Sequence, residues 1–105
     1  MSMKSPPHPG RGLRDDFDEL GLSIAQGADA LGISRSQLHR VVSGTSDISP
    51  ELALRLEVVI GGTADLWLRM QAGYNAAQVR LRADQVTRGL KRILAPAKTG
   101  QPPVH

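Results

Sequence analysis

The chain has no cysteine. Disulfides, cysteine-ligated zinc and thiol catalysis are therefore excluded, and the redox compartment stays open. Aromatic residues are nearly as scarce: Phe17, Trp67 and Tyr74 are the whole set. A core must then be built from Leu, Val, Ile and Ala, which a hydrophobic content of 40% allows. No apolar run approaches the length of a bilayer span, and no apolar signal core follows Met1. A cytoplasmic protein without membrane association is expected. The histidines His8, His39 and His105 are scattered and no ligand triad with metal spacing occurs. Neither a metal, a cofactor nor catalysis is expected.

What is present is helical periodicity. Apolar residues recur at helical spacing almost everywhere and alternating runs are absent, so the fold class is all-α. The 105 residues suffice for one small domain with tails. A net charge of +3 is compatible with a polyanionic partner, but where the bases cluster matters more than the sum.

The chain is organised around residues 23–44. Ser23 can cap a helix whose Ile24, Ala28 and Leu31 share one face. Gly32 ends that helix, because glycine tolerates the left-handed conformation that closes one. Ile33 points inward and Ser34 caps a second helix, in which Leu38, Val41 and Val42 bury one side. Arg35, Ser36, Gln37, His39 and Arg40 remain on its surface with no acidic neighbour inside the helix. This is the sequence form of a helix-turn-helix, whose second helix enters the major groove. Arg can donate two hydrogen bonds to a guanine edge and Gln can pair similarly with adenine.

Upstream, a Pro-containing lead-in over residues 1–8 is expected to be flexible. A helix from Pro9 to Leu20 then turns Leu13, Phe17 and Leu20 inward. Its other face carries Arg11 and Arg14 with the acidic cluster Asp15, Asp16, Asp18 and Glu19, either a solvated surface or a meeting place for a basic partner. Downstream, Thr45 to Ile48 form a loop suited to phosphate contacts. Ser49-Pro50-Glu51 is a strong helix start, for a helix running to Ile60. Leu54 and Val58 lie off its main stripe, so neighbours on more than one side are expected.

Thr63 caps a last helix expected to reach Leu94. Trp67, Met70, Tyr74, Ala77 and Leu81 form one stripe. Val79, Ala83, Val86, Leu90 and Ile93 form another, on nearly the opposite face at about 100° per residue. Either the helix bends near Gly73 or Gly89 and folds back, or the second stripe meets another polypeptide. A symmetric homodimer is the preferred reading. Arg80, Arg82, Arg88, Lys91 and Arg92 flank that stripe, as solubilising charges or as a secondary contact. The Pro-containing tail 95–105 is expected to be flexible.

Several of these segments together resemble the HigA group of antitoxins, within the lambda-repressor-like helix-turn-helix superfamily. They are Pro7-His8-Pro9-Gly10, Gly21-Leu22-Ser23, Ala30-Leu31-Gly32-Ile33-Ser34, Leu38, Arg40, Gly44, Ile48-Ser49-Pro50-Glu51, Ala53-Leu54-Arg55-Leu56 and Trp67-Leu68 with Gln71 and Tyr74. The resemblance spans about residues 7–76. It implies a five-helix DNA-binding domain over residues 9–76; the dimerising helical extension over 77–94 lies beyond the match and is read from periodicity alone. The resemblance further implies a dimer that represses its own operon on a palindromic operator and neutralises a HigB-like toxin, a RelE-like mRNA endonuclease. Carried over by position, the base-reading set is Arg35, Ser36, Gln37, His39 and Arg40, and the phosphate set is Ser23, Ser34, Thr45 and Ser46. The chain departs from the superfamily at Ile24, where a DNA-contacting Gln is common, and at Gly27, where a buried Leu is common. Asp29 adds a negative charge to the same helix. At Gly27 both helix preference and packing are expected to be lost. A stand-alone transcriptional regulator without a toxin is the alternative, and an interaction module that has lost DNA binding is the third reading.

Overall fold

In the computed structural model, which describes residues 6–94, the first helix, α1 (Pro9–Leu20), is set by the three residues at its start. His8 is the N-cap, and its Nδ1 accepts the Gly10 N–H at 2.9 Å. Pro9 sits where a missing N–H costs nothing and presets the helical φ. Gly10 allows main chain to lie on main chain, since a Cβ there would overlap the Val41 carbonyl oxygen.

The next four helices all begin on a hydroxyl. Ser23, Ser34, Ser49 and Thr63 cap α2 (Ile24–Leu31), α3 (Arg35–Val42), α4 (Pro50–Val59) and α5 (Ala64–Arg80). Each accepts one otherwise unpaired backbone N–H, a contribution of about 1 kcal/mol per cap. Gly21 and Gly32 close α1 and α2 at φ values of 70° and 72°. A sixth helix, α6 (Ala83–Thr87), is one short turn. Among the described residues there is no strand.

The core is aliphatic with two aromatic members. Leu13 and Phe17 of α1, Leu31 of α2, Leu38 of α3, and Leu52 and Leu56 of α4 are all buried. Ile48 from the α3–α4 turn and Trp67 of α5 complete it. Burying such a side chain contributes about 1.5–3 kcal/mol, so this cluster holds α1–α4 together. The Trp67 indole donates to the Gly61 carbonyl at 3.1 Å, which ties the start of α5 to the end of α4.

Four expectations are corrected. The final helix does not reach Leu94: α5 ends at Arg80, a break follows at Leu81 and Arg82, and α6 ends before Gly89, whose φ is 80°. Nearly every residue from Gln78 onward is exposed. Local propensity alone must hold this stretch, and short helices without packing are marginal. Helix α5 is continuous through Gly73, so of the two places named for a break the one at Gly73 does not occur. Leu54 and Val58 are 55% and 78% exposed, so α2 and α5, the neighbours of α4, leave these two residues uncovered. On α5 the inward line is Trp67, Gln71 and Tyr74, while Met70 and Leu81 of the expected stripe are exposed.

The fourth correction concerns Gly27. It is buried, and a Cβ there would stand 2.8 Å from Cζ of Phe17 and 3.2 Å from Cδ2 of Leu38. The space a larger side chain would occupy is filled by the Phe17 ring. Packing is exchanged between helices, and the loss is confined to helix preference. Residues 1–5 of the lead-in and the tail 95–105 lie outside the described residues.

Candidate nucleic-acid interface

The α2–α3 corner is built from local hydrogen bonds. Ser23 Oγ accepts the Gln26 N–H at 3.1 Å while Gln26 Oε1 accepts the Ser23 N–H at 2.9 Å, a reciprocal capping box. At the other end of α2, Arg55 reaches across from α4. Its Nη1 donates to the Leu31 carbonyl at 2.8 Å and approaches the Gly32 carbonyl at 3.5 Å. A cation on the last carbonyls of a helix satisfies orphan acceptors and the negative end of the dipole. Gly32 leaves room for that guanidinium, since a Cβ would stand 2.7 Å from it. Ser34 Oγ then accepts the Gln37 N–H at 3.0 Å and α3 begins.

Leu38, Val41 and Val42 anchor α3 in the core, which turns its other side outward. Arg35, Ser36, His39 and Arg40 are exposed and Gln37 is half-buried. The ion pair found among the described residues is Arg55 with Glu51, at 3.8 Å. Among the described residues no carboxylate is paired with Arg35 or Arg40, and both are exposed on one short helix. Such a surface can exchange counterions at a phosphate backbone and present bidentate donors to base edges.

The turn after α3 is held from two directions. The Arg40 carbonyl accepts the Thr45 and Ser46 N–H groups at 2.9 and 3.1 Å. The hydroxyls of Ser43 and Thr45 each lie 3.1 Å from the same oxygen. Thr45 is thus turned toward the end of α3, whereas Ser46, half-buried, has no hydroxyl hydrogen bond among the described residues. Ser23 and Ser34 accept cap hydrogen bonds but keep their own protons to donate. From the far side, Gln71 Oε1 accepts the Ile48 N–H at 2.8 Å, and Gln71 Nε2 donates to Asn75 Oδ1 at 3.1 Å. Asn75 Nδ2 in turn donates to Asp47 Oδ2 at 2.8 Å. This chain of amides clamps residues 47 and 48 to α5.

The helix-turn-helix family model matches residues 13–68, from the middle of α1 to the start of α5. The chain belongs to the helix-turn-helix family. It is 33% identical to YddM of Escherichia coli (strain K12), an uncharacterized HTH-type transcriptional regulator, over 80% of this chain and 89% of that one. Its fold superposes on antitoxin GraA with a TM-score of 0.81 at 27% identity, covering 87% of this chain and 100% of that one. Pseudomonas aeruginosa antitoxin HigA, solved with the higBA promoter, gives a TM-score of 0.77 at 30% identity, over 85% of this chain and 99% of that one. As a member of this family the chain is a binding protein and not an enzyme. No helix of the described residues is long and apolar enough to cross a membrane.

The sequence-derived site residues fall into three groups. Arg35, Ser36, His39 and Arg40 lie on one exposed helix, with Gln37 partly covered. Ser23, Ser34, Thr45 and Ser46 surround that helix at its corner and at its C-terminal turn. The expected dimer residues are not on one helical face: Val79 ends α5, Ala83 and Val86 belong to α6, and Leu90 and Ile93 follow Gly89. Three residues named for the resemblance have structural roles that sequence reasoning did not assign. His8 caps α1 and its ring stands edge-on to Tyr74, 4.9 Å between centroids. Arg55 closes α2, and Gln71 clamps the turn. Gln71 carried a readable signal, a polar residue four positions after Trp67 on the inward face of α5. The other two carried none that spacing could separate from surface residues.

Proposed function

We propose that this helix-turn-helix protein is an antitoxin that dimerises on palindromic operator DNA, represses its own operon and neutralises a HigB-like, RelE-like mRNA endonuclease. The carrying observation is the unpaired Arg35 and Arg40 on α3, within a fold that matches an antitoxin solved with promoter DNA. Arg35, Ser36, Gln37, His39 and Arg40 read base edges, while Ser23, Ser34, Thr45 and Ser46 lie near phosphates. Residues 9–76 form the DNA-binding unit. Residues 77–94 serve dimerisation through Val79, Ala83, Val86, Leu90 and Ile93, of which all but the half-buried Ala83 are exposed, Ile93 to 94%. A dimer sets two copies of α3 about one DNA turn apart, which is the reason for a palindrome.

The second reading, a stand-alone regulator, is supported by the similarity to YddM, an uncharacterized HTH-type transcriptional regulator. Mobility shifts with the fragment upstream of the gene, with and without the product of the adjacent gene, test both. The antitoxin reading expects a shift by the protein alone and a further change when the neighbour's product is added. A shift that the neighbour's product never alters supports the regulator instead.

A further inference from the structure

A groove of about 940 Å³ runs between α1 and α5, floored by the α4–α5 junction. No residue of α2, α3 or the turn after α3 lines it, so it opens away from the DNA-reading helix. Its walls are apolar: Leu20, Ile60, Leu66, Trp67 and Met70. Leu20 is 58% exposed and Leu66 44%. An open apolar trough of this kind fits the ridge of an amphipathic helix.

Two further features describe the occupant. The α1 rim of the groove carries Asp16 and Glu19, neither in an ion pair among the described residues. Arg11 instead lines the smaller hollow beside Val42 and Ser43, on the other flank of α1. The facing wall holds one base, Arg69. Then there are Gly12 of α1 and Gly73 of α5, both inside helices and both lining the groove. A Cβ at either would meet nothing within 4 Å. Elsewhere this chain uses glycine where space or φ demands it, as at Gly10, Gly27 and Gly32. Gly12 and Gly73 weaken their helices with no return inside the fold, and what their missing side chains do is widen this groove.

We infer that the α1–α5 groove is the docking site for a basic amphipathic helix of a protein partner. That helix sets an apolar ridge between Leu20 and Met70, and turns lysines or arginines toward Asp16 and Glu19. On the reading above, the partner is the toxin. The groove then allows the protein to hold toxin and DNA at once, because the two surfaces share no residue.

The test uses the full chain co-expressed with the product of the adjacent gene. Gly12→Leu and Gly73→Leu fill the groove from both walls, at positions with free space and with a gain in helix preference. Asp16→Asn with Glu19→Gln removes the rim charge at nearly constant shape. Pull-down and titration of the partner are read beside operator binding and thermal unfolding. The expected result is loss of the partner complex in the glycine variants and about tenfold weaker, less salt-sensitive binding in the charge variant. Operator affinity and melting temperature stay at or above wild type. Unchanged partner binding in all variants overturns the groove assignment and leaves the antitoxin reading intact. A wild-type chain that binds the operator but not the adjacent product overturns both.

Discussion

The side-chain carbonyl of Gln71, buried in α5, accepts the backbone N–H of Ile48, 23 residues earlier, at 2.8 Å. Ile48 is a core residue at the end of the turn that follows α3. Its N–H has no place in any helix ladder, so the amide of another element must satisfy it. The same amide passes on through Asn75 to Asp47, which sets the pose of the whole turn.

Gln71→Leu therefore leaves a buried N–H unpaired, at a cost of about 1–3 kcal/mol. Thermal unfolding is expected to shift downward by several degrees, and operator affinity to fall with it. Gln71→Glu, which keeps an acceptor for Ile48 but loses the donor to Asn75, falls between wild type and leucine. Equal melting curves for all three proteins would deny the clamp its role.

Among the described residues the Arg35 and Arg40 side chains make no hydrogen bond or ion pair, so alanine at either is expected to leave the melting temperature unchanged. Each is expected to lose about 1–3 kcal/mol of operator affinity. A base-reading arginine relaxes preference at one operator position, whereas a phosphate-binding one lowers the salt slope instead. Titrations on mutated operators at two salt concentrations separate these roles.

At Gly27, alanine gains about 1 kcal/mol of helix preference and loses about 1–3 kcal/mol to overpacking against Phe17 and Leu38. The net expectation is a less stable protein by chemical denaturation. Gly27→Ala with Phe17→Leu restores part of the loss, because the smaller ring site gives way.

Removing the Arg55 guanidinium, as in Arg55→Met, uncaps the last carbonyls of α2. About 1–2 kcal/mol of stability is expected to go, since a hydrogen bond from a charged donor is lost at a partly buried site. Hydrogen exchange should report that loss first in α2.

A chain ending at Arg80 retains every core residue and the Gln71 clamp. Its melting temperature is expected to match the full chain, and on the proposed reading it is expected to sediment as a monomer where the full chain sediments as a dimer. A truncated protein that still sediments as a dimer would place the interface elsewhere than residues 81–94.

The helices and their ends were legible in the sequence because their causes are local. A serine or threonine before an apolar period, a proline at its first position and a glycine at its end determine where α1 to α5 begin and where α1 and α2 stop. The outward face of α3 was legible for the same reason, as Leu38, Val41 and Val42 dictate which side is buried. What only the tertiary structure decided involves pairs distant in the chain. Phe17 fills the space over Gly27, Arg55 closes a helix 24 residues earlier, and Gln71 fastens Ile48. The end of α5 at Arg80 belongs with these. A helical period continues beyond it in the sequence, but a period forms a long helix only where another surface packs against it, and within the described residues none does.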